Sequence, residues 1–98
     1  MIDILIVGTH QQIMETIARL INKEGKWKAT IANSLMAACS VCQEKDFGLA
    51  LIGAGLSDEE ESQLKQTLTD LKPDLPIVKH YGGGSGLLFA EIYQALAS

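Results

Sequence analysis

Four times along the chain, a short run of aliphatic and β-branched residues is followed by a turn and then by apolar residues at helical spacing. This alternation constrains the fold more than any other feature. Met1–Val7 is Ile, Leu and Val nearly throughout, as expected of a strand covered on both faces in a parallel sheet. Gly8 interrupts it, Thr9 stands as N-cap, and Ile13, Ile17, Leu20 and Ile21 recur at helical spacing. Gly25 occupies the place of a helix-terminating C′ glycine. The second unit is Trp27–Ala32, the Asn33-Ser34 cap, and a helix through Met36, Ala37, Val41 and Cys42 towards Lys45. The third strand, Phe47–Ile52, ends in Gly53-Ala54-Gly55. Ser57-Asp58-Glu59-Glu60 reads as a capping box before a helix through Leu64, Leu68 and Leu71 that stops at Lys72-Pro73. Acids at a helix start meet its positive dipole end, which accounts for the cluster Asp58 to Glu61 without a metal. Pro76–Tyr81 is the fourth strand, and a last helix carries Leu88, Ile92, Ala95 and Leu96 along one face. Strands alternating this closely with helices imply parallel pairing and right-handed crossovers. The expected fold is α/β, a three-layer parallel sheet of four strands, with elements running βαβαβαβα.

Ninety-eight residues suffice for one domain, and 47 % hydrophobic against 20 % charged residues is the mix of a globular one. The longest apolar runs, such as Ile4–Val7 and Leu49–Ile52, are far short of the roughly 20 residues that span a bilayer. Met1-Ile2-Asp3 lacks a basic n-region, so a cytoplasmic location is expected. The net charge is −4 with no Lys/Arg cluster, which argues against nucleic acid as a partner, because such a groove needs local positive charge. Cys39 and Cys42 form a CxxC that lies inside the second helix, whereas a redox pair gains reactivity at a helix N-terminus. The two thiols read as small apolar fillers on a buried helix face.

Several segments resemble the receiver domain of two-component response regulators. Ile4-Leu5-Ile6-Val7 is similar to that family's first strand, and Ile31-Ala32-Asn33-Ser34-Leu35-Met36-Ala37-Ala38 to its second strand entering the second helix. Leu49-Ala50-Leu51-Ile52-Gly53-Ala54-Gly55-Leu56-Ser57 resembles the third-strand segment that normally ends in the phosphoacceptor aspartate, and Leu75-Pro76-Ile77-Val78 the entry to the fourth strand. The resemblance implies a flavodoxin-like fold with the four strands in the order 2-1-3-4, and it also shows what has departed. The family's paired acids fall on Gly8 and Thr9, its phosphoacceptor on Gly53, and its switch Thr/Ser on Tyr81. Holding Mg²⁺ and accepting a phosphoryl group both need carboxylates, which glycine and threonine cannot replace. Aspartyl phosphorylation is therefore expected to be lost.

A full receiver has five strand-helix units and this chain has room for four. Two registers fit its end. In one, Pro76–Tyr81 is the fourth strand. In the other, Lys79-His80-Tyr81 and Leu87-Leu88-Phe89-Ala90-Glu91-Ile92 resemble the fifth strand and final helix, with Lys79 matching the family's lysine. Either way the last strand becomes an edge guarded only by Lys79, and a sheet face is expected to lie partly uncovered. The simplest cover is a second copy, giving a homodimer by edge pairing, helix packing or exchange of the last helix through Gly82–Gly86. Leu87, Leu88 and Phe89 are more consecutive apolar residues than one helix face buries, which points to an interface there. Trp27, at the start of the second strand, reads as a core-rim aromatic.

Ligands of open α/β sheets bind beyond the carboxyl ends of the strands. The loops expected there are Gly8-Thr9-His10-Gln11, Asn33-Ser34, Gly53-Ala54-Gly55 and Tyr81-Gly82-Gly83-Gly84-Ser85-Gly86. The last joins strand to helix, an arrangement that can hold phosphate, although its spacing matches neither a Walker A motif nor GxGxxG. It reads either as a flexible turn or, with Thr9 and His10, as an anion site. His10 and His80 are expected about 10 Å apart across an intervening strand, with no acid to orient them. His10 is expected to help cap the first helix.

The leading expectation is a non-phosphorylatable, receiver-like protein-interaction module in signalling, self-associating and free to dock a signalling partner. The alternative is a small sensor for an anionic or phosphate-bearing ligand, and a third reading is a redox module using Cys39 and Cys42. No residue reads as catalytic, and no motif requires a metal or cofactor.

Overall fold

A computed structural model describes residues 2–53, 55–80 and 85–97, the side chains of 85–87 excepted. The four strands are β1 (Ile2–Val7), β2 (Trp27–Ala32), β3 (Leu49–Ile52) and β4 (Ile77–Lys79), and the four helices are α1 (Gln11–Lys23), α2 (Leu35–Glu44), α3 (Asp58–Leu71) and α4 (Ser85–Ala97). All strand pairs are parallel, in the order β2-β1-β3-β4. The expected architecture and strand order hold. Two strands are shorter than expected. β3 begins at Leu49 instead of Phe47, and β4 covers Ile77–Lys79 within the expected Pro76–Tyr81, with Tyr81 outside the described residues.

Strand order dictates where the helices go. The chain moves from β1 to β2 in one direction and from β2 through β3 to β4 in the other. Right-handed crossovers therefore place α1 on one face and α2 and α3 on the opposite face. Period-two alternation along the strands supplies a core for each. Ile4, Ile6, Leu49 and Leu51 pack with Met14, Ile17 and Ile21 of α1, while Leu5, Val7, Ala50 and Ile52 pack with Ala38, Cys42, Leu64 and Leu68 of α2 and α3.

α4 joins α1 on the first face. It takes the vacant half of the α1 face, burying Leu88, Ile92 and Ala95 against that core. The expectation of a partly uncovered sheet face is thus corrected, because each face carries two helices. Burying those apolar strand residues against Leu88 and Ile92 stabilises the fold by about 0.8 kcal/mol per methylene removed from water. β4 stands next to β3, with His80 N–H donating to the Ile52 carbonyl (3.0 Å).

Helix ends are set as the residue types require. Ser57 Oγ accepts from Glu60 N–H (3.2 Å) and Glu60 Oε1 accepts from Ser57 N–H (3.0 Å), completing the capping box. Ser34 Oγ accepts from Ala37 N–H (3.1 Å) at the start of α2. The N-cap of α1 is His10, whose Nδ1 accepts from Ile13 N–H at 3.4 Å, and not Thr9. The buried stripe of α1 is Met14, Ile17, Ala18 and Ile21, leaving Ile13 41 % exposed. Gly25 has φ +79°, a left-handed C′ conformation that a residue without Cβ adopts at little cost. Among the described residues, no helix is long and apolar enough to cross a membrane.

Candidate functional site

The carboxyl ends of β1 and β3 lie side by side, and Gly53 is anchored there by its N–H to the Val7 carbonyl (2.7 Å). A Cβ on residue 53 would collide with the terminal methyl of Met14 and stand 2.6 Å from its Sδ. Met14 is fully buried. The thioether thus fills the volume that a side chain on residue 53 would need. The neighbouring loops close against each other as well. Gly55, at φ +99°, receives the Thr9 hydroxyl directly over its Cα, with His10 N 3.1 Å from where a Cβ would stand. Gly8 N–H donates to the Ala32 carbonyl at 3.1 Å, extending the β1–β2 ladder past the strand.

The second cluster lies where β4 leaves the sheet. Lys79 Nζ is held by both carboxylate oxygens of Glu61, at 2.9 and 3.1 Å. Glu61 is 8 % exposed because it shares the inward stripe of α3 with Leu64 and Leu68. A carboxylate brought inward must be paired or hydrogen-bonded, and the adjacent edge strand supplies the ammonium. One residue later, His80 Nδ1 donates to Glu91 Oε1 of α4 at 2.5 Å, with both side chains largely buried. This corrects the expectation that no acid orients His80. β4 is therefore pinned to α3 on one face and to α4 on the other. His10 and His80 are not brought into one site, since each is bonded to its own helix. Among the described residues, no group of three or more His, Cys, Asp and Glu could hold a metal ion.

The anion site expected at Gly82, Gly83, Gly84, Ser85 and Gly86 falls mostly outside the described residues, as does Tyr81. Only the backbone of Ser85 and Gly86 is described, opening α4. Of its companions, Thr9 packs on Gly55 and the His10 Nδ1 is used as a cap. Of the expected interface residues, Leu88 is 1 % exposed in the core, which removes it from the surface. Phe89 is half-buried against Trp27, ring centroids 6.0 Å apart, and the Leu87 side chain is not described. Trp27 itself is core, at 3 % exposure. Its edge meets Tyr93 at 5.1 Å, and Tyr93 Oη accepts from Lys26 Nζ (2.8 Å). That bond holds the Lys26 ammonium above its ordinary pKa. Cys42 is buried and Cys39 only partly so, which halves the filler reading. Burial pushes the Cys42 thiol up, with a smaller contribution from Cys39, opposite to a reactive thiolate.

Sequence reasoning missed Met14, Glu61 and Glu91. Helical phase could have found the first two: Met14 precedes Ile17 and Ile21 by three and seven, as Glu61 precedes Leu64 and Leu68. Nothing local marks Glu91, whose partner comes from another element.

No protein-family model matches the chain. No curated protein matches it either. Solved structures do. A sensor protein from Polaromonas sp. JS666 superposes with a TM-score of 0.85 at 16 % identity, over 98 % of this chain and 96 % of that one. The response regulator protein TrrA from Thermotoga maritima, solved in complex with Mg(2+)-BeF, gives 0.80 at 13 % identity, over 98 % and 99 %. A CheY-like response regulator receiver domain protein from Methanospirillum hungatei JF-1 gives 0.70 at 21 %, over 97 % and 76 %. At such identities the likeness is one of fold. Over the described residues the architecture is the flavodoxin-like fold of response regulator receiver domains, with four parallel strands.

Proposed function

We propose that this chain is a receiver-like module of signalling that accepts no phosphoryl group, catalyses no reaction and works by protein contact, pairing with a second copy of itself. The observation that carries the first part is Met14 packed into the space before Gly53. Phosphotransfer to a receiver needs a nucleophilic carboxylate and further carboxylates for a cation, with room for both. The ends of β1 and β3 offer Gly8, Thr9 and Gly53 in their place, and a thioether where the side chain of an acceptor at residue 53 would begin.

Self-association is supported by the β4 edge. β4 ends the strand order, with Ile77 and Val78 half-buried. A shallow groove of about 540 Å³ runs along it between Lys65 of α3 and Glu91 of α4. Edge strands of this kind accept a further strand unless guarded, and a second copy is the partner always present at matching concentration. A two-fold pair would close the contact on itself.

Two measurements test the reading. Intact mass after incubation with acetyl phosphate and Mg²⁺ is expected to be unchanged, and a gain of one phosphoryl group would refute the first part. Light scattering on a size-exclusion column over a dilution series is expected to give twice 10.6 kDa. A monomer at every concentration down from tens of micromolar would refute the second.

A further inference from the structure

Beside Thr9, on the sheet face opposite Met14, a pocket of about 140 Å³ opens between α2 and α3 at the carboxyl edge of the sheet. Its floor is apolar, made by Val7, Leu35, Leu56 and Leu64 at the upper end of the second core. Its rim is polar, made by Thr9, Asn33, Glu60 and Gln63. Folding leaves most of that rim's bonding capacity open. The side chains of Thr9, Asn33 and Gln63 bond to no other described residue. Glu60 gives Oε1 to the capping box, and Oε2 has no described partner. Ser34, also at the rim, is already used by Ala37 N–H.

We infer that this pocket binds a small cationic molecule with a ring-sized apolar body, an amidinium or ammonium head meeting Glu60. The size follows from the volume, since a cavity of about 150 Å³ admits one benzene-sized ring. The sign of charge follows from the lining. Among the described lining residues Glu60 is the one ionic group, with no Lys, Arg or His to favour an anion. A charge-assisted bond to a carboxylate is about twice as strong as a neutral one. The Asn33 and Gln63 carboxamides and the Thr9 hydroxyl can each turn an acceptor towards the remaining N–H groups. An apolar floor below a few convergent polar groups is the general make-up of small-molecule sites. The inference is independent of phosphotransfer and of dimerisation, because it turns on the charge of Glu60, which lies neither at Gly53 nor at β4.

Benzamidine is the probe, with neutral benzamide and anionic benzoate alongside, followed by NMR on the full chain labelled at amides and leucine methyls. Benzamidine is expected to shift the Leu35, Leu56 and Leu64 methyls and the Asn33 and Gln63 side-chain amides to saturation, with benzamide weaker and benzoate silent. Glu60→Gln keeps the capping box, since glutamine serves equally at that position, and removes the charge. It is expected to weaken benzamidine roughly tenfold while leaving benzamide unchanged. Gln63→Glu, on an exposed helix position, is expected to tighten benzamidine several-fold. Absence of saturable shifts at these residues, equal binding of benzoate, or indifference of benzamidine to both substitutions would each overturn the inference.

Discussion

Met14 and Gly53 exclude each other's side chains: the thioether of one lies where the Cβ of the other would be, 2.6 Å from Sδ. A methionine is suited to such a place, being unbranched and able to follow an irregular gap. The pair ties α1 to the end of β3, so the helix that covers one core also plugs the sheet edge.

Restoring an acid at residue 53 is therefore expected to fail by sterics before chemistry. Gly53→Asp combines overpacking with an unpaired inward charge and should cost about 3 kcal/mol or more in urea unfolding. Met14→Ala alone should cost about 2–5 kcal/mol. The double variant should be less unstable than the sum by about 1–3 kcal/mol, the signature of residues competing for one space. Strict additivity would show that the two do not compete.

Among the described residues Lys79 and Glu61 form the most buried of three Lys–carboxylate pairs, with Glu61 the more enclosed partner. Lys79→Met leaves the carboxylate without its ammonium and should cost about 2–3 kcal/mol, less than a fully buried pair because Lys79 is partly exposed. Adding Glu61→Leu should return most of that loss, since an apolar pair of similar volume removes the unpaired charge. Chemical denaturation of the three proteins checks both statements.

The Cys42 thiol gives a pH dependence of definite sign. Its pKa is raised in the fold from a usual value of 9.0, first by burial and then by Cys39. The unfolded chain therefore ionises this thiol before the folded one does. Stability from this group is fully present below pH 9.0 and is lost as pH rises past it. Wild type should lose more stability above that pH than Cys42→Ala does. At neutral pH, Cys42 should react with iodoacetamide more slowly than an unfolded-chain thiol.

Trp27 anchors α4 to the start of β2. Trp27→Ala should cost about 3–5 kcal/mol as a buried aromatic truncation. Tyr93→Phe, which removes only the exposed bond to Lys26, should change the unfolding midpoint very little. An equal loss from both would mean that the hydroxyl, and not the ring packing, holds the helix.

How far the sequence could be read is clearest at the helix ends. Ser57 with Glu60, Ser34 with Ala37 and Gly25 are contacts within four residues, so residue type alone predicts them. His10 caps α1 as one of the two neighbouring candidates, Thr9 and His10, either of which can accept from the first turn. Leu88 stands in two readings: helical spacing with Ile92 and Ala95 predicts it buried, as it is, and only its place in the surplus run Leu87-Leu88-Phe89 pointed it outward. At the candidate site the sequence shows Gly8, Thr9 and Gly53, residue types that cannot carry carboxylate chemistry. What occupies the vacated space was not legible, because Met14 reaches Gly53 across nearly forty positions of chain.

The sequence by itself determined the alternation of strand and helix, the parallel sheet and the helix caps. All of these depend on hydrophobic period, steric preference and bonds between near neighbours. The order β2-β1-β3-β4 also followed, from handed crossovers together with the family resemblance. Only the tertiary structure decided that α4 lies beside α1, that Glu61 meets Lys79 and His80 meets Glu91, and that Met14 closes the site. Each of these joins distant elements, and a lone helix or strand carries no term in its own energy that favours one such partner over another. The choice appears when packed layers compete for the same apolar area, and charges carried inward must find a counter-charge close at hand.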